Sequence, residues 1–338
     1  MNANLLKGFI GTYTNGQSKG IYNFKFNLKT NKFENYNLAF ETEKPSYLII
    51  SKNHLYSIVK NNENSGVAAF DITDDLKLNP LNRCIENGNP PCHISVSKDN
   101  KYLFSANYHD NKIIIYSLNE DGSIGDNNIT FNHNGEIPHI HYVSLDPKDE
   151  YLCAVDLGID KIKIYQKNKY GFIKREDLTV NFRKESGPRH LIFHPNKKFA
   201  YVITEYSSEV AAFNYNEGKF SLINVLSTLP IKYTGVKAGA AIKIHPNGKC
   251  LYTSNRGHNS ITTFLIDSNT GNLSLISHQS TLGNGPRDFD ISDNGKILIV
   301  ANQDSSSLIA YNLDEKTGFI KGIADSIKIP NPTCVHFF

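Results

Sequence analysis

The chain contains no tryptophan, and none of its apolar runs approaches the roughly 18 residues needed for a membrane helix. Its five cysteines, Cys84, Cys92, Cys153, Cys250 and Cys334, are odd in number, widely scattered and never in a CxxC pair. That pattern argues against a disulfide framework or a structural zinc site, and a reducing cytoplasm is the expected compartment. Long runs of like charge are also missing. The 36 basic and 33 acidic residues are interspersed and leave a net charge of +3, so there is no footprint for nucleic acid or a membrane surface. Any anion site must therefore be local. The N-terminal stretch MNANLLKGFIGTYT is too short and too polar for a secretory signal and is expected to be a strand. No stretch shows the 3.6-residue apolar period of a helix, and no linker or low-complexity segment divides the chain. The expectation is one domain over residues 1–338.

What is present is strand-forming material, with 18 Tyr, 19 Phe and abundant Val and Ile, and it is arranged in a repeat. A unit of apolar run, polar turn, aromatic-apolar run, loop and third apolar run begins at Pro45, Pro91, Ile140, Pro188, Gly239, Pro286 and Pro332. Successive starts lie 46, 49, 48, 51, 47 and 46 residues apart. A Gly-bearing turn commonly leads to a fourth, more polar run, as in KYGFIKREDLTV and SNTGNLSLISHQ. Four short strands per unit, seven times over, predict an all-β, seven-bladed propeller. The last unit holds a single strand, PTCVHFF, and residues 5–41 supply the second to fourth strands that it lacks. The N-terminus is thus expected to complete the C-terminal blade and close the ring.

The clearest unit, GPRHLIFHPNKKFAYVITE, has Arg189 at its start and Glu205 at its end. If its two apolar runs form an antiparallel hairpin, these residues become neighbours although sixteen positions separate them. The same register places one residue per blade at the start of the innermost strand: Ser46, Cys92, His141, Arg189, Ala240, Arg287 and Thr333. The position just past the second strand is Tyr108, Leu157, Glu205, Arg256 and Gln303 in blades 2 to 6. His141, Arg189, Glu205 and Arg256 therefore converge from three consecutive blades on one mouth of the ring. Ordinary surface salt bridges are the plain alternative for any one of them, but ring geometry focuses only these slots on the axis. Such a group suits ester chemistry: a histidine or carboxylate moves a proton, and guanidiniums hold an anion or a developing oxyanion. No metal or other cofactor is needed.

In order and at these spacings, GTYT with GIY, HIHYVSLDP with AVDLGIDKI, GPRHLIFHP with ITE, HPNGKCLYTSNR and GPRDFDIS span essentially the whole chain. On those motifs it resembles the seven-bladed propeller lactonases of the bacterial 6-phosphogluconolactonase type, whose relatives include a carboxymuconate lactonising enzyme. The resemblance implies a catalytic His, Arg, Glu and Arg at His141, Arg189, Glu205 and Arg256. It also implies hydrolysis of a small anionic lactone, 6-phospho-D-glucono-1,5-lactone, in the pentose phosphate pathway. His93, His139, His190 and Arg287 are candidates for phosphate contacts, with inter-blade packing as the alternative for the three histidines. His109 and His258, in loops after second strands on the same side, are candidates for a further ligand contact. Asp156 either reaches the mouth or satisfies loop amides, and His194 and His245 in HPN turns belong to the opposite face. Lactonisation or hydrolysis of another acid, a non-catalytic binding propeller, and a Ca²⁺-dependent gluconolactonase are the rival readings. The last needs clustered oxygen ligands, whereas Glu205 is flanked in its series by Leu157 and Arg256.

Overall fold

The alternation of side chains along each second strand has no polar face. In Tyr151–Asp156, for example, every residue is buried. A strand apolar on both faces must be covered on both, and the computed structural model, which describes residues 4–338, shows how. Among the described residues, 28 strands form seven antiparallel four-stranded sheets, and no helix is present. In blades 2 to 6 each sheet runs in chain order from an innermost to an outermost strand, and the innermost strands include Ile140–Leu145, Pro188–Phe193, Gly239–Ile244 and Pro286–Ile291.

Seven apolar clusters fill the seven gaps between adjacent blades. Within Tyr151–Asp156, Cys153 and Val155 pack toward Leu191, Ala200 and Val202 of blade 4, whereas Leu152 and Ala154 pack toward Phe104 and Ile113 of blade 2. One strand therefore contributes to two cores through its period of two. Outer strands such as Gly171–Asn181 are largely exposed, in keeping with their polar sequence.

Closure follows the expected route. The strand Pro332–Phe337 pairs with Leu5–Thr12, which is followed outward by Gly20–Asn27 and Lys32–Glu41. Residues 1–3 of the N-terminal stretch lie outside the described residues. Blade 6 also grips the closing strand through side chains: Asp288 Oδ2 accepts the Val335 N–H at 3.2 Å and Asp290 Oδ2 accepts the Phe337 N–H at 3.0 Å. Lys243 of blade 5 sits 3.3 Å from Asp290. No helix among the described residues is long and apolar enough to cross a membrane.

Candidate active site

A feature that sequence periodicity does not reveal decides which side chains reach the ring's mouth. In blade 3 the pairing of the first two strands jumps from Ile140 with Asp156 to Tyr142 with Val155, leaving His141 as the extra, bulged residue. Blade 4 repeats this at Arg189, blade 6 at Arg287 and blade 7 at Thr333. A bulge turns its extra residue out of the strand's regular alternation. Here all four bulged residues line one cavity of about 500 Å³ at the mouth.

The partners come from the ends of second strands. The backbone N–H of Glu205 donates to Gly187 O in its own blade, and Glu205 O accepts from Gly239 N of the next, so its position is held from both sides. Glu205 Oε2 then receives Arg189 Nε at 3.0 Å and Arg256 Nη2 at 2.9 Å. Arg189, only 2 % exposed, also donates from Nη1 to Ala240 O at 2.5 Å and lies 3.2 Å from His190 Nε2. Beside this cluster stands His141, 6 % exposed, its ring 5.2 Å from His190 and 5.8 Å from Tyr108. His141 Nδ1 and Arg256 Nε are buried without a hydrogen-bond partner among the described residues.

The electrostatics assign protonation states. Burial would raise the Glu205 carboxyl, but the guanidiniums of Arg189 and Arg256 outweigh it and hold the group below the usual carboxylate range, so it is ionised. Burial, reinforced by repulsion from Arg256, lowers Arg189 to about 10, and it keeps its proton at neutral pH. Burial first, and then Arg189, Arg287 and Arg256, push His141 well below the ordinary histidine value, so its imidazole is neutral. His190 is driven the same way by burial and Arg189. The site thus combines a neutral base with fixed positive charge.

His141, Arg189, Glu205, Arg256, His190 and Arg287 all line the cavity, together with His109, Cys92, Ser46 and Tyr108. His93 does not line it: its ring lies tilted between those of Tyr47 at 4.6 Å and Tyr142 at 4.2 Å, where it accepts the Val143 N–H. His258 is outside the cavity, packed on Tyr233 and bonded to Ser260 Oγ at 2.8 Å. His139 stacks on Tyr108 at 4.2 Å and contacts its carbonyl. Asp156 does not reach the mouth: it accepts from the amides of His139, Gly158 and Ile159 and binds His133 Nδ1 at 2.6 Å. His194 and His245 hold the Gly248 and Gly295 carbonyls of neighbouring turns. Sequence reasoning missed Tyr13, Asn15, Lys44, Tyr47, Asn89 and Asp288, which also line the cavity. Lys44, Tyr47 and Asn89 sit in inter-blade connections, Tyr13 and Asn15 in a loop within blade 7, and Asp288 one residue past the bulge of blade 6, all outside the two slots that the repeat register singles out.

Comparison with known proteins gives concordant matches. The family described as "Lactonase, 7-bladed beta-propeller" matches residues 7–337. The 6-phosphogluconolactonase of Bacillus subtilis is 37 % identical over 342 residues, covering 98 % of this chain and 97 % of that protein. Among solved structures, a protein from Lactobacillus plantarum superposes with a TM-score of 0.92 at 30 % identity, covering 99 % of both chains. A periplasmic gluconolactonase from Pseudomonas aeruginosa gives 0.92 at 26 % identity, covering 98 % of this chain and 99 % of that one.

Proposed function

Because the chain belongs to the seven-bladed β-propeller lactonase family, a lactone hydrolase by that membership, we propose that its substrate is 6-phospho-D-glucono-1,5-lactone and its product 6-phosphogluconate. The observation that carries this reading is the juxtaposition of a neutral imidazole, His141, with the Arg189–Glu205–Arg256 cluster in one cavity. The full-length similarity to the Bacillus subtilis enzyme supports the choice of lactone. On this reading the reaction belongs to the oxidative pentose phosphate pathway and takes place in the cytoplasm.

In the proposed mechanism His141 takes a proton from water as the oxygen attacks the lactone carbonyl carbon. The carbonyl oxygen becomes an oxyanion, stabilised by the Arg256 and Arg189 guanidiniums, which Glu205 holds in fixed orientation before substrate arrives. Collapse of the tetrahedral intermediate breaks the bond to the ring oxygen. The imidazolium of His141 returns its proton there, and the open-chain acid ionises to release one proton. Every role is filled by a side chain, so the rate should be indifferent to chelators. Loss of activity on chelation would point instead to a cation-dependent gluconolactonase.

The direct test adds pure protein to 6-phosphogluconolactone freshly generated by a dehydrogenase and follows acid release. Acceleration well above the spontaneous rate is expected; no acceleration would refute the assignment. Unphosphorylated gluconolactone is the second reading, favoured by the similarity to the Pseudomonas aeruginosa enzyme, and the same assay with that lactone separates the two.

A further inference from the structure

Four cations line the cavity, Lys44, Arg189, Arg256 and Arg287, against two carboxylates, Glu205 and Asp288. Glu205 is already shared by Arg189 and Arg256, and Asp288 accepts the Val335 N–H of the closing strand. Among the described residues neither Lys44 nor Arg287 has a carboxylate within 4.0 Å. Two positive charges in the cavity are therefore left without a protein counter-ion. They sit apart from the reaction cluster: His141, Arg189, Glu205 and Arg256 come from blades 3 to 5, whereas Arg287 belongs to blade 6 and Lys44 to the connection entering blade 1.

Arg287 is held through its side chain and Lys44 at its backbone. The Arg287 guanidinium lies over the Tyr13 ring, 5.3 Å from its centroid, an arrangement that orients it while leaving its N–H edge free to meet oxygen acceptors. Lys44 is fixed by its backbone. Four blades are entered through a left-handed residue followed by proline: Lys44–Pro45, Gly187–Pro188, Gly285–Pro286 and Asn331–Pro332. Glycine and asparagine adopt that conformation most readily, and Lys44, with φ 49°, is the one long side chain in the set. A following proline disfavours it further. The lysine backbone amide is tied to Thr14 Oγ1 at 3.1 Å, and its carbonyl accepts the Ser46 N–H at 2.7 Å. Two sister blades carry glycine at the same place, so the backbone there does not itself require a lysine.

We infer that Lys44 and Arg287, with Tyr13 beneath the guanidinium, form an oxyanion subsite that holds the charged far end of the lactone while blades 3 to 5 act on its carbonyl. This rests on the lactonase reading of the same cavity and adds the residues that would hold the phosphate of the lactone proposed above, or a terminal carboxylate in its place. The two cations then set the preference for a charged over a neutral sugar lactone and fix which end faces His141.

The test measures calorimetric binding of 6-phosphogluconate, glucarate and gluconate to wild type, Lys44→Gly and Arg287→Met. Wild type should bind 6-phosphogluconate more tightly than gluconate by about tenfold or more, the worth of one charge-assisted hydrogen bond, and each variant should lose most of that margin. Lys44→Gly should do so with an unchanged or higher Tm, since glycine suits the left-handed backbone, which separates loss of the ammonium from loss of the fold. Glucarate binding as tightly as 6-phosphogluconate would identify a carboxylate as an equal occupant of the same subsite. Variants that bind all three acids as wild type does, or lose all three equally, would overturn the inference. Binding needs no turnover, so a wild type that discriminates among the acids but hydrolyses no lactone would leave the subsite standing while refuting the catalytic reading.

Discussion

Glu205 carries two guanidiniums on one oxygen, and that single fact sets the behaviour of the residues around it. Replacing it by glutamine leaves Arg189, 2 % exposed, without its counter-charge. Removing one partner of a buried ion pair costs on the order of 3 kcal/mol, so Glu205→Gln should lower the urea midpoint as well as the turnover. A second expectation concerns pH. His93, His141 and His190 are all held well below the ordinary histidine value, burial being the largest cause in each. In the unfolded chain they protonate near about pH 6.5. As pH falls below that value the unfolded state takes up protons that the folded state refuses, so stability is fully present above it and declines below. Urea unfolding at pH 7.5 and 5.5 should show the drop, and kcat/KM should hold level through pH 6.5 before its acid limb begins. A limb centred at or above 6.5 would contradict a neutral, buried His141. The Arg189–Glu205 contact was legible in the sequence because hairpin pairing alone brings the two together. The neutrality of His141 was not, because it arises from burial and from three arginines on other blades.

At the scale of strands and connections, the mouth is built by irregularities. The bulges at His141, Arg189, Arg287 and Thr333 put those side chains into the cavity, and period-two patterning cannot register an extra residue. The slots themselves were readable, since seven aligned units mark where each innermost strand begins. Lys44 was overlooked for a physical reason: it precedes the repeat's first proline and lies in a connection, outside the slots that the repeat register aligns. The connection entering blade 3 depends on Asp156, which satisfies three backbone amides and the His133 ring in a fully buried setting. Asp156→Ala strands those donors. At roughly 1–3 kcal/mol for each unsatisfied buried group, a loss of about 3 kcal/mol or more is expected in urea unfolding. A loss below about 1 kcal/mol would show that the loop re-forms its bonds elsewhere.

Over the whole molecule, seven blades share seven apolar interfaces, and the ring closes where Leu5–Thr12 pairs with Pro332–Phe337. Deleting residues 332–338 removes the innermost strand of blade 7 and opens a long sheet edge. The shortened chain should aggregate or lose its cooperative unfolding transition, and a soluble, cooperatively folding product would contradict closure by this pairing. Architecture was the most legible level, because a repeat of 46 to 51 residues with four strand signals admits few other arrangements. The ring also concentrates positive charge at one mouth while the chain as a whole carries only +3. Attraction of an anionic substrate should therefore weaken with ionic strength, and KM for a phosphorylated lactone should rise between low and high salt more than KM for a neutral one. The most direct test of the reaction centre is turnover of wild type and His141→Ala on 6-phosphogluconolactone in a pH-stat, with the spontaneous rate subtracted. The variant is expected to keep its fold and lose about 10²–10⁴-fold in kcat, the usual contribution of a general base. Turnover of the variant equal to wild type would contradict the assignment of His141 as the residue that activates water.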